Sequence, residues 1–313
     1  MFRKKRFWFF ILPFVMIGLF VTYALYRVEP YTRNQWSDEQ LLNAFMRDTV
    51  STAEIGYLEG KDRKIRYVQV GADSTKPLLV FIHGSPSSTA FWVKMMNDDE
   101  LRARANLLAV DRPGYGGSGL GRALISVEKQ ARYVADVIRQ RRLGPDQPVI
   151  LHGSSYGGTV SARIAMDYPE MIDGLLLQSA STAPAEEYTY WITHPTSRWP
   201  LNKLIPPALN TANNEKLNHQ EQLENMAAGW QNIDANAVVI HGTDDWLIYP
   251  PNAYYSCDQL KNAESLVHHM VENGEHDLIY RTPKLLKKYL HHLLDKVTVA
   301  YDDDVIRAIE EDQ

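Results

Sequence analysis

His152-Gly153-Ser154-Ser155-Tyr156-Gly157-Gly158 lies between an apolar run, residues 148–151, and a helical pattern that begins near Thr159. The stretch matches G-x-S-x-G with Ser155 at its centre, and no register of that pattern centres on Ser154. A sharp strand-to-helix turn of this kind needs small neighbours and exposes the Oγ of its central serine above the carboxyl end of a sheet. The helix that follows directs its positive N-terminal dipole at the site. The stretch therefore predicts a nucleophile at Ser155, with Ser154 as the small neighbour.

Short apolar segments alternate with helical patterns along the chain. Continuous apolar runs are typical of strands that are buried on both faces. Strands that alternate with helices indicate a mostly parallel sheet with helices on both faces, so we predict an α/β fold. The predicted strands are residues 65–70, 78–82, 106–110, 149–151, 174–177, 237–240 and 265–271. The predicted helices are residues 126–142, 159–167, 220–230 and 283–294.

Residues 183–219 interrupt this alternation between the fifth and sixth apolar runs. The segment is rich in proline and in aromatic residues. Long insertions in compact domains are usually lids or binding loops, and aromatic side chains in such numbers normally cover an apolar site. We therefore predict a lid here; the alternative is an irregular, solvated connector.

A serine hydroxyl is a poor nucleophile unless a base takes its proton, and the base needs an acid to orient it. His276 lies in a glycine-containing loop, residues 273–277, after the last predicted strand. Asp244 and Asp245 directly follow the sixth strand, and either could orient that histidine. The other late histidines are interpreted as structural or surface residues: His268, His269, His291 and His292.

Negative charge on an attacked carbonyl oxygen also needs N–H donors that point at it. The loop at residues 83–86, His-Gly-Ser-Pro, follows the second apolar run and can present a backbone N–H. We expect the two donors to be the N–H groups of Ser85 and Tyr156. Three histidines that precede a glycine at a strand end are interpreted as hydrogen-bonded structural residues: His83, His152 and His241.

Composition excludes several other classes of function. The 313 residues carry a formal net charge of −5, which argues against a dedicated nucleic-acid binder. The single cysteine, Cys257, permits no intramolecular disulfide and no multi-cysteine metal site. Residues 114–119 match G-x-G-x-x-G, but no helix is predicted before Ser126, as a dinucleotide fingerprint requires. We expect neither a cofactor nor a metal.

The N-terminal residues have the pattern of a membrane anchor. Basic residues 3–6 precede residues 7–26, a run without charge that as a helix would span about 30 Å, the thickness of the hydrocarbon core. Because basic residues mark the cytoplasmic side, we expect the N-terminus in the cytoplasm and the rest of the chain outside it. We expect the membrane to be a bacterial inner membrane, with the body of the protein in the periplasm. The alternative is a cleaved signal peptide.

The chain is accordingly divided into four predicted parts. The first part, residues 1–28, holds the basic cluster and the anchor, and residues 29–50 form a linker. Residues 51–298 form the body with its lid, and residues 299–313 form an acidic tail. The sequence gives no indication of the oligomeric state.

Five motifs resemble those of the α/β-hydrolase superfamily, in the family's order and at similar spacing. They are HGSP at 83–86, DRPGYGGSG at 111–119, HGSSYGG at 152–158, HGTDD at 241–245 and GEH at 274–276. The resemblance covers about residues 54–294 and implies a Ser155-His276-Asp245 triad, because the family's acid falls on the third residue after the glycine of HGTDD. Asp244 is the alternative acid. In relatives the second motif supports the floor of the site and is not catalytic.

The resemblance implies a serine hydrolase that cleaves a carboxylic ester through an acyl-enzyme. Epoxide hydrolases and haloalkane dehalogenases of this superfamily carry aspartate as the nucleophile, which Ser155 argues against. Two alternatives remain: an aminopeptidase or amidase with the same triad, and a catalytically silent binding protein on a hydrolase scaffold. The anchor and the aromatic lid favour a lipid-like or other small ester as the substrate.

Overall fold

The computed structural model describes residues 14–19, 21–23, 26, 34–46 and 53–311. Its centre is an eight-stranded sheet in the order β1-β2-β4-β3-β5-β6-β7-β8, in which β1, β2 and β4 pair antiparallel and all other neighbours pair parallel. The strands are β1 (Ala53–Glu59), β2 (Lys64–Val70), β3 (Leu78–Ile82), β4 (Asn106–Val110), β5 (Val149–Ser154), β6 (Gly174–Gln178), β7 (Asn236–Gly242) and β8 (Leu266–Val271).

Every apolar run predicted as a strand lies in a strand of this sheet, so the predicted α/β fold is confirmed. The edge strand β1 was not predicted. Its residues are only partly buried or exposed, in contrast with the fully buried β3, β4 and β6. Without a buried face, β1 carries no continuous apolar run that the sequence could reveal.

Helices cover both faces of the sheet. They are α1 (Asp38–Met46), α2 (Val93–Met96), α3 (Asp99–Arg104), α4 (Val127–Arg141), α5 (Tyr156–Asp167), α6 (Thr193–Thr196), α7 (Pro207–Met226), α8 (Pro251–Gln259), α9 (Leu278–Arg281) and α10 (Pro283–Glu311). Side chains of α4 and α5 build the apolar core on one face, and those of α1, α2 and α10 build it on the other. Helix α4 is capped by Ser126, since its side chain accepts a hydrogen bond from the N–H of Lys129.

The stretch predicted as a linker, residues 29–50, contains helix α1. Leu41 and Phe45 lie one helical turn apart and are buried in the second core. Side chains four residues apart share one face of a helix, and Leu42 and Asn43 between them are exposed. Residues 38–46 are therefore packed against the body.

The predicted lid, residues 183–219, contains α6, two short 3₁₀ turns and the first half of α7. Helix α7 begins at Pro207, earlier than the predicted start at residue 220. Proline fits the first turn of a helix because its missing N–H would have no partner there. In the first half of α7 the buried face is largely polar. The apolar residues there show no helical periodicity, so the sequence did not predict this part of the helix. Its buried residues are Ala208, Thr211, Glu215, His219, Leu223 and Met226.

Only part of the predicted membrane segment, residues 7–26, lies among the described residues, and the basic cluster at residues 3–6 lies outside them. Residues 14–19 and 21–23 are helical, and apolar side chains such as Phe14 and Leu19 are exposed. None of the helices in the described ranges combines the length and the apolar character needed to cross a bilayer.

The turn between β5 and α5 leaves no room for side chains at its glycines. Ser155 joins the two elements with φ 56° and ψ −126°, a conformation that residues other than glycine rarely adopt. A Cβ on Gly157 would lie 2.2 Å from the carbonyl oxygen of Ile82. A Cβ on Gly153 would lie 2.5 Å from the carbonyl oxygen of Gly157. Helix α5 consequently begins at Tyr156, directly after the turn and three residues before the predicted start.

His152 lies in β5 immediately before this turn and is fully buried. Its Nε2 is 2.9 Å from Oε1 of Gln178, and its ring contacts those of Phe81 and Trp92. Burial lowers the pKa of His152 to about 3, against a smaller upward effect of the Gln178 hydrogen bond. The imidazole is therefore neutral in the folded chain at neutral pH.

The first prediction concerns Gly157. We expect Gly157→Ala to lower the free energy of unfolding by about 1–3 kcal/mol or more, because the new Cβ would meet backbone oxygens that cannot move without shifting β3. Gly144→Ala is the matched control, since a Cβ there meets nothing within 4 Å. Denaturant unfolding measures both variants, and equal stability of the two would contradict the packing described here.

The second prediction concerns acid sensitivity. The ordinary pKa of histidine, about 6.5, exceeds that of folded His152, so the unfolded chain binds more protons between the two values. Stability should therefore fall as the pH drops below about 6.5, with His152 contributing at most about 1.4 kcal/mol per pH unit. Urea unfolding of His152→Asn at several pH values should show a shallower slope than the wild type. His194→Asn, at an exposed position, is the control; identical slopes for the wild type and His152→Asn would refute this assignment.

Candidate active site

The predicted site residues meet where the parallel strands end, called here the carboxyl edge of the sheet. Ser155 follows β5, Asp245 lies beyond β7, and His276 lies beyond β8. Ligands of parallel α/β sheets bind at this edge, where loops from neighbouring strands converge. The chain thus brings together residues that are far apart in sequence because β5, β6, β7 and β8 are consecutive neighbours in the sheet.

Asp245 is held by hydrogen bonds at both carboxylate oxygens. Its Oδ1 accepts from the N–H groups of Leu247 and Ile248 at 3.0 and 2.9 Å, and its Oδ2 lies 2.8 Å from Nδ1 of His276. The residue is 2% exposed. Asp244, the alternative acid, is exposed and its Oδ1 accepts a hydrogen bond from the Thr243 hydroxyl. Of the two aspartates, only Asp245 contacts His276.

The electrostatic surroundings keep Asp245 ionised. Burial raises the pKa of its carboxyl group, but the hydrogen bond and charge of His276 and the charge of His241 outweigh burial, so that the pKa is lowered. A carboxylate has no proton to donate, so Nδ1 of His276 donates the hydrogen bond between them. In the neutral imidazole this leaves Nε2 with its lone pair, free to accept a proton.

Ser155 and His276 line one small pocket together with Leu247 and Tyr280. Ser155 is 7% exposed, and the described side chains of Ser155 and His276 make no hydrogen bond with each other. Catalytic hydrogen bonds are often long in enzymes without bound substrate and tighten only in the reacting complex.

The loop that was predicted to supply an N–H donor lies directly against Ser155. A Cβ on Gly84 would be 2.9 Å from the Cβ of Ser155, so only glycine permits this approach. Tyr156 is the first residue of α5, and the first N–H groups of a helix have no acceptor within it. Ser85, which follows Gly84, and Tyr156 line one cavity together with Ser155.

A larger cavity of about 250 Å³ extends from Ser155 beneath the segment at residues 183–219. Its apolar wall includes Leu209, Leu247 and Ile248, and Tyr188 and Tyr190 lie on the side of the lid. Lys216, His219 and Asn213 of α7 contribute polar atoms. The cavity can hold an apolar group that is attached to a reacting atom at Ser155.

Glu187, a buried carboxylate that the sequence did not reveal, contacts residues that line this cavity. The side chain of Glu187 is 4% exposed, forms an ion pair with Lys216 and accepts a hydrogen bond from the Ser181 hydroxyl. Burial raises the pKa of Glu187, but the charges of His219 and Lys216 and these hydrogen bonds outweigh burial and lower it. Nothing in the local sequence marks Glu187, because its partners come from the loop after β6 and from α7.

The glycine-rich segment at residues 111–119 is a loop, and no helix follows before α4. Asp111 accepts hydrogen bonds from Nε of Arg66 at 2.7 Å and from the N–H groups of Thr89 and Gly117 at 2.7 and 2.8 Å. Gly116 has φ 45°, and a Cβ there would collide with Asp111. The loop thus wraps a buried ion pair.

The histidines that precede glycines are hydrogen-bonded, as predicted. His83 contacts the carbonyl oxygen of Gly84 through Nδ1 at 2.7 Å, and His241 contacts that of Ile248 through Nε2 at 2.8 Å. Among the residues that the structure describes, no group of three or more histidine, cysteine, aspartate and glutamate side chains could hold a metal ion.

Comparison with known proteins agrees with this architecture. Residues 77–202, from β3 into the segment above the site, match the family model of the alpha/beta hydrolase fold. Epoxide hydrolase 1 of Caenorhabditis elegans is 29% identical over 169 residues, which are 51% of this chain and 40% of that protein. The chain spans between 34% and 40% of the length of the curated relatives that it matches first.

Two solved structures share the fold over most of the chain. One, from Acinetobacter baumannii AYE and described as a lipase, has a TM-score of 0.63 and 22% identity and covers 83% of this chain and 97% of its own. The other, a bacterial membrane phospholipase A, has a TM-score of 0.63 and 21% identity and covers 92% of this chain and 98% of its own. Together with the family match over residues 77–202, the sheet topology shows that this chain has the α/β-hydrolase fold.

Proposed function

We propose that the chain is a serine hydrolase that cleaves a carboxylic ester through an acyl-enzyme. The observation that carries the proposal is the Asp245–His276 hydrogen bond of 2.8 Å at the edge of a pocket that His276 shares with Ser155. The sharp turn at Ser155 and the two flanking backbone N–H groups supply the remaining parts of such a site.

The reaction has two steps. Ser155 Oγ attacks the ester carbonyl carbon while its proton moves to Nε2 of His276, and the N–H groups of Ser85 and Tyr156 stabilise the oxyanion. His276 returns that proton to the leaving alcohol as the carbon–oxygen bond breaks, and the acyl group stays on Ser155. Water then attacks the acyl-enzyme with His276 as base, releasing the acid and restoring the hydroxyl. Asp245 holds the imidazole in place and stabilises its cation.

The cavity favours an ester over an aminopeptidase substrate. An aminopeptidase must bind a substrate ammonium group, which calls for an available carboxylate. Glu187, the carboxylate behind the cavity wall, is buried and already paired with Lys216. An apolar acyl group fits the wall of Leu209, Leu247 and Ile248. A serine at the nucleophile position likewise distinguishes this chain from epoxide hydrolases, which carry aspartate there.

We further propose that the chain is anchored by residues 7–26 with its body outside the cytoplasm, and that the substrate is lipid-like. The run without charge after basic residues 3–6 supports the anchor. The lid adds a second argument, because Trp191, Trp199 and Leu204 are 72%, 79% and 77% exposed. Tryptophan is enriched at membrane interfaces, where one side of the ring is apolar and the other wet.

The third prediction tests the triad on the full chain. Ser155→Ala should lower kcat for p-nitrophenyl butyrate about a thousandfold or more, because the nucleophile is lost. Asp245→Asn should also lower kcat, on the order of a thousandfold, because the imidazole loses its orienting carboxylate.

Asp244→Asn is the matched control, since it makes the same change one residue away on an exposed side chain. It should retain nearly the wild-type kcat. If Asp244→Asn proved the more damaging substitution, the acid would have to be reassigned. Substantial turnover by Ser155→Ala, with titration excluding contaminating esterase, would overturn the proposed chemistry.

The fourth prediction concerns the bond and the location of the substrate. On the full chain, p-nitrophenyl butyrate should be cleaved far faster than the matched butyryl p-nitroanilide or prolyl p-nitroanilide. An ester lipid should be cleaved faster in phosphatidylglycerol-containing vesicles than in neutral detergent micelles. Preference for the prolyl amide would establish an aminopeptidase instead, and no gain in vesicles would refute the membrane substrate alone.

A further inference from the structure

Glu215 of α7 lies within the predicted lid and is a buried carboxylate that the triad does not use. It is 1% exposed and accepts hydrogen bonds from Nη1 of Arg112 at 2.7 Å and from Nε2 of Gln130 at 3.1 Å. It also accepts from the hydroxyls of Ser85 and Tyr115 at 2.7 and 2.6 Å. One lid residue is thereby bonded directly to the loop that flanks the nucleophile.

Arg112, the ion-pair partner of Glu215, donates hydrogen bonds to the backbone of the loop at residues 83–86. Its Nε donates to the carbonyl oxygen of His83 at 2.8 Å and its Nη2 donates to that of Gly84 at 3.1 Å. The Arg112 side chain is fully buried. Because an arginine fork is planar and rigid, holding one edge on Glu215 fixes the direction in which the other donors point.

These contacts determine where the Ser85 N–H points. The carbonyl of Gly84 and the N–H of Ser85 belong to one trans peptide, so they point in opposite directions. Arg112 and Nδ1 of His83 both hold that carbonyl oxygen by hydrogen bonds. The N–H of Ser85 therefore points away from Arg112 and His83, and the hydrogen bond of the Ser85 hydroxyl to Glu215 holds the residue in this orientation.

Burying the Arg112–Glu215 ion pair costs desolvation free energy, which argues for a role of the pair beyond stability. Burial of two opposite charges often stabilises a fold no more than apolar residues of the same shape would. Burial lowers the pKa of Arg112, but the charge of Glu215 outweighs burial and raises it. Arg112 is therefore charged, and the donors to the Glu215 carboxyl group come from α4 and from two loops of the body.

We propose that Glu215 is a positioning residue that, through Arg112 and the Ser85 hydroxyl, sets the oxyanion-binding N–H of Ser85, so that the oxyanion site is complete only with α7 seated. The inference rests on the proposed function, since it presumes an oxyanion at this position. Glu215 touches no reacting atom and acts on the transition state only through the peptide between Gly84 and Ser85.

The test separates oxyanion binding from general damage to the pocket. A trifluoromethyl ketone with a phenylethyl group forms a tetrahedral adduct with an active serine and places an oxyanion in the site. The methyl ketone with the same phenylethyl group binds without forming that adduct to a comparable extent. A merely structural role would weaken both ligands alike, whereas a positioning role weakens the first selectively.

In Glu215→Gln we expect kcat/KM for p-nitrophenyl butyrate to fall about 10-fold to 100-fold, up to the loss seen when one oxyanion donor is removed. Ki for the trifluoromethyl ketone should rise by the same factor, while Ki for the methyl ketone stays within the error of the wild type. Ser85→Ala, which keeps the backbone N–H and removes only the link to Glu215, should show a smaller change of the same kind. It also keeps the test decisive if Glu215→Gln does not fold.

Glu221→Gln is the matched control, because Glu221 lies on the exposed face of the same helix. Equal losses for both ketones, or unchanged inhibition by the trifluoromethyl ketone in Ser85→Ala and folded Glu215→Gln, would overturn the inference. Ser155→Ala measured in parallel distinguishes the two proposals. If it retains activity, the proposed function fails; if it is inactive while Glu215→Gln behaves as the wild type, only the role of Glu215 fails.

Discussion

The tight turn at Ser155 is the constraint on which the rest of the structure depends. The chain must reverse from β5 into α5 within one residue, which forces a positive φ on a serine and excludes side chains at Gly153 and Gly157. The helix then packs against the carbonyl of Ile82, so β3, β5 and α5 are fixed relative to one another. The proposed oxyanion-binding N–H groups depend on the same contacts, because one belongs to the loop after β3 and the other begins α5.

Polar contacts connect the lid to the body around this turn. Glu215 and Glu187 are both buried and both satisfied by partners from other elements, and Asp245 is satisfied in the same way on the opposite side of Ser155. Removing one partner from such a network leaves an uncompensated charge, whereas an apolar contact can adapt by repacking. The polar groups of the site are consequently held in fixed orientations. Such orientations suit a reaction whose transition state is more charged than its substrate.

The sequence was sufficient for the sheet and for the order of the site loops, because both depend on local patterns. Apolar runs mark buried strands, and the glycines around Ser155 mark a turn that only small residues permit. The sequence did not predict the first half of α7, whose buried face is polar, or the exposed strand β1. Neither element has a periodic pattern of apolar residues. The roles of Glu187 and Glu215 could not be predicted either, because each is defined by partners distant in the chain. Choosing Asp245 over Asp244 required the family resemblance; in the structure only Asp245 reaches His276.

The central claim is that Ser155 is an activated nucleophile. The most direct measurement is intact-protein and peptide mass spectrometry after brief exposure of the full chain to a fluorophosphonate, which reacts with activated serines and spares ordinary hydroxyls. We expect one adduct per chain, located on Ser155 and absent after prior heat unfolding. An unlabelled chain, or an adduct on Ser154 with Ser155 unmodified, would contradict it.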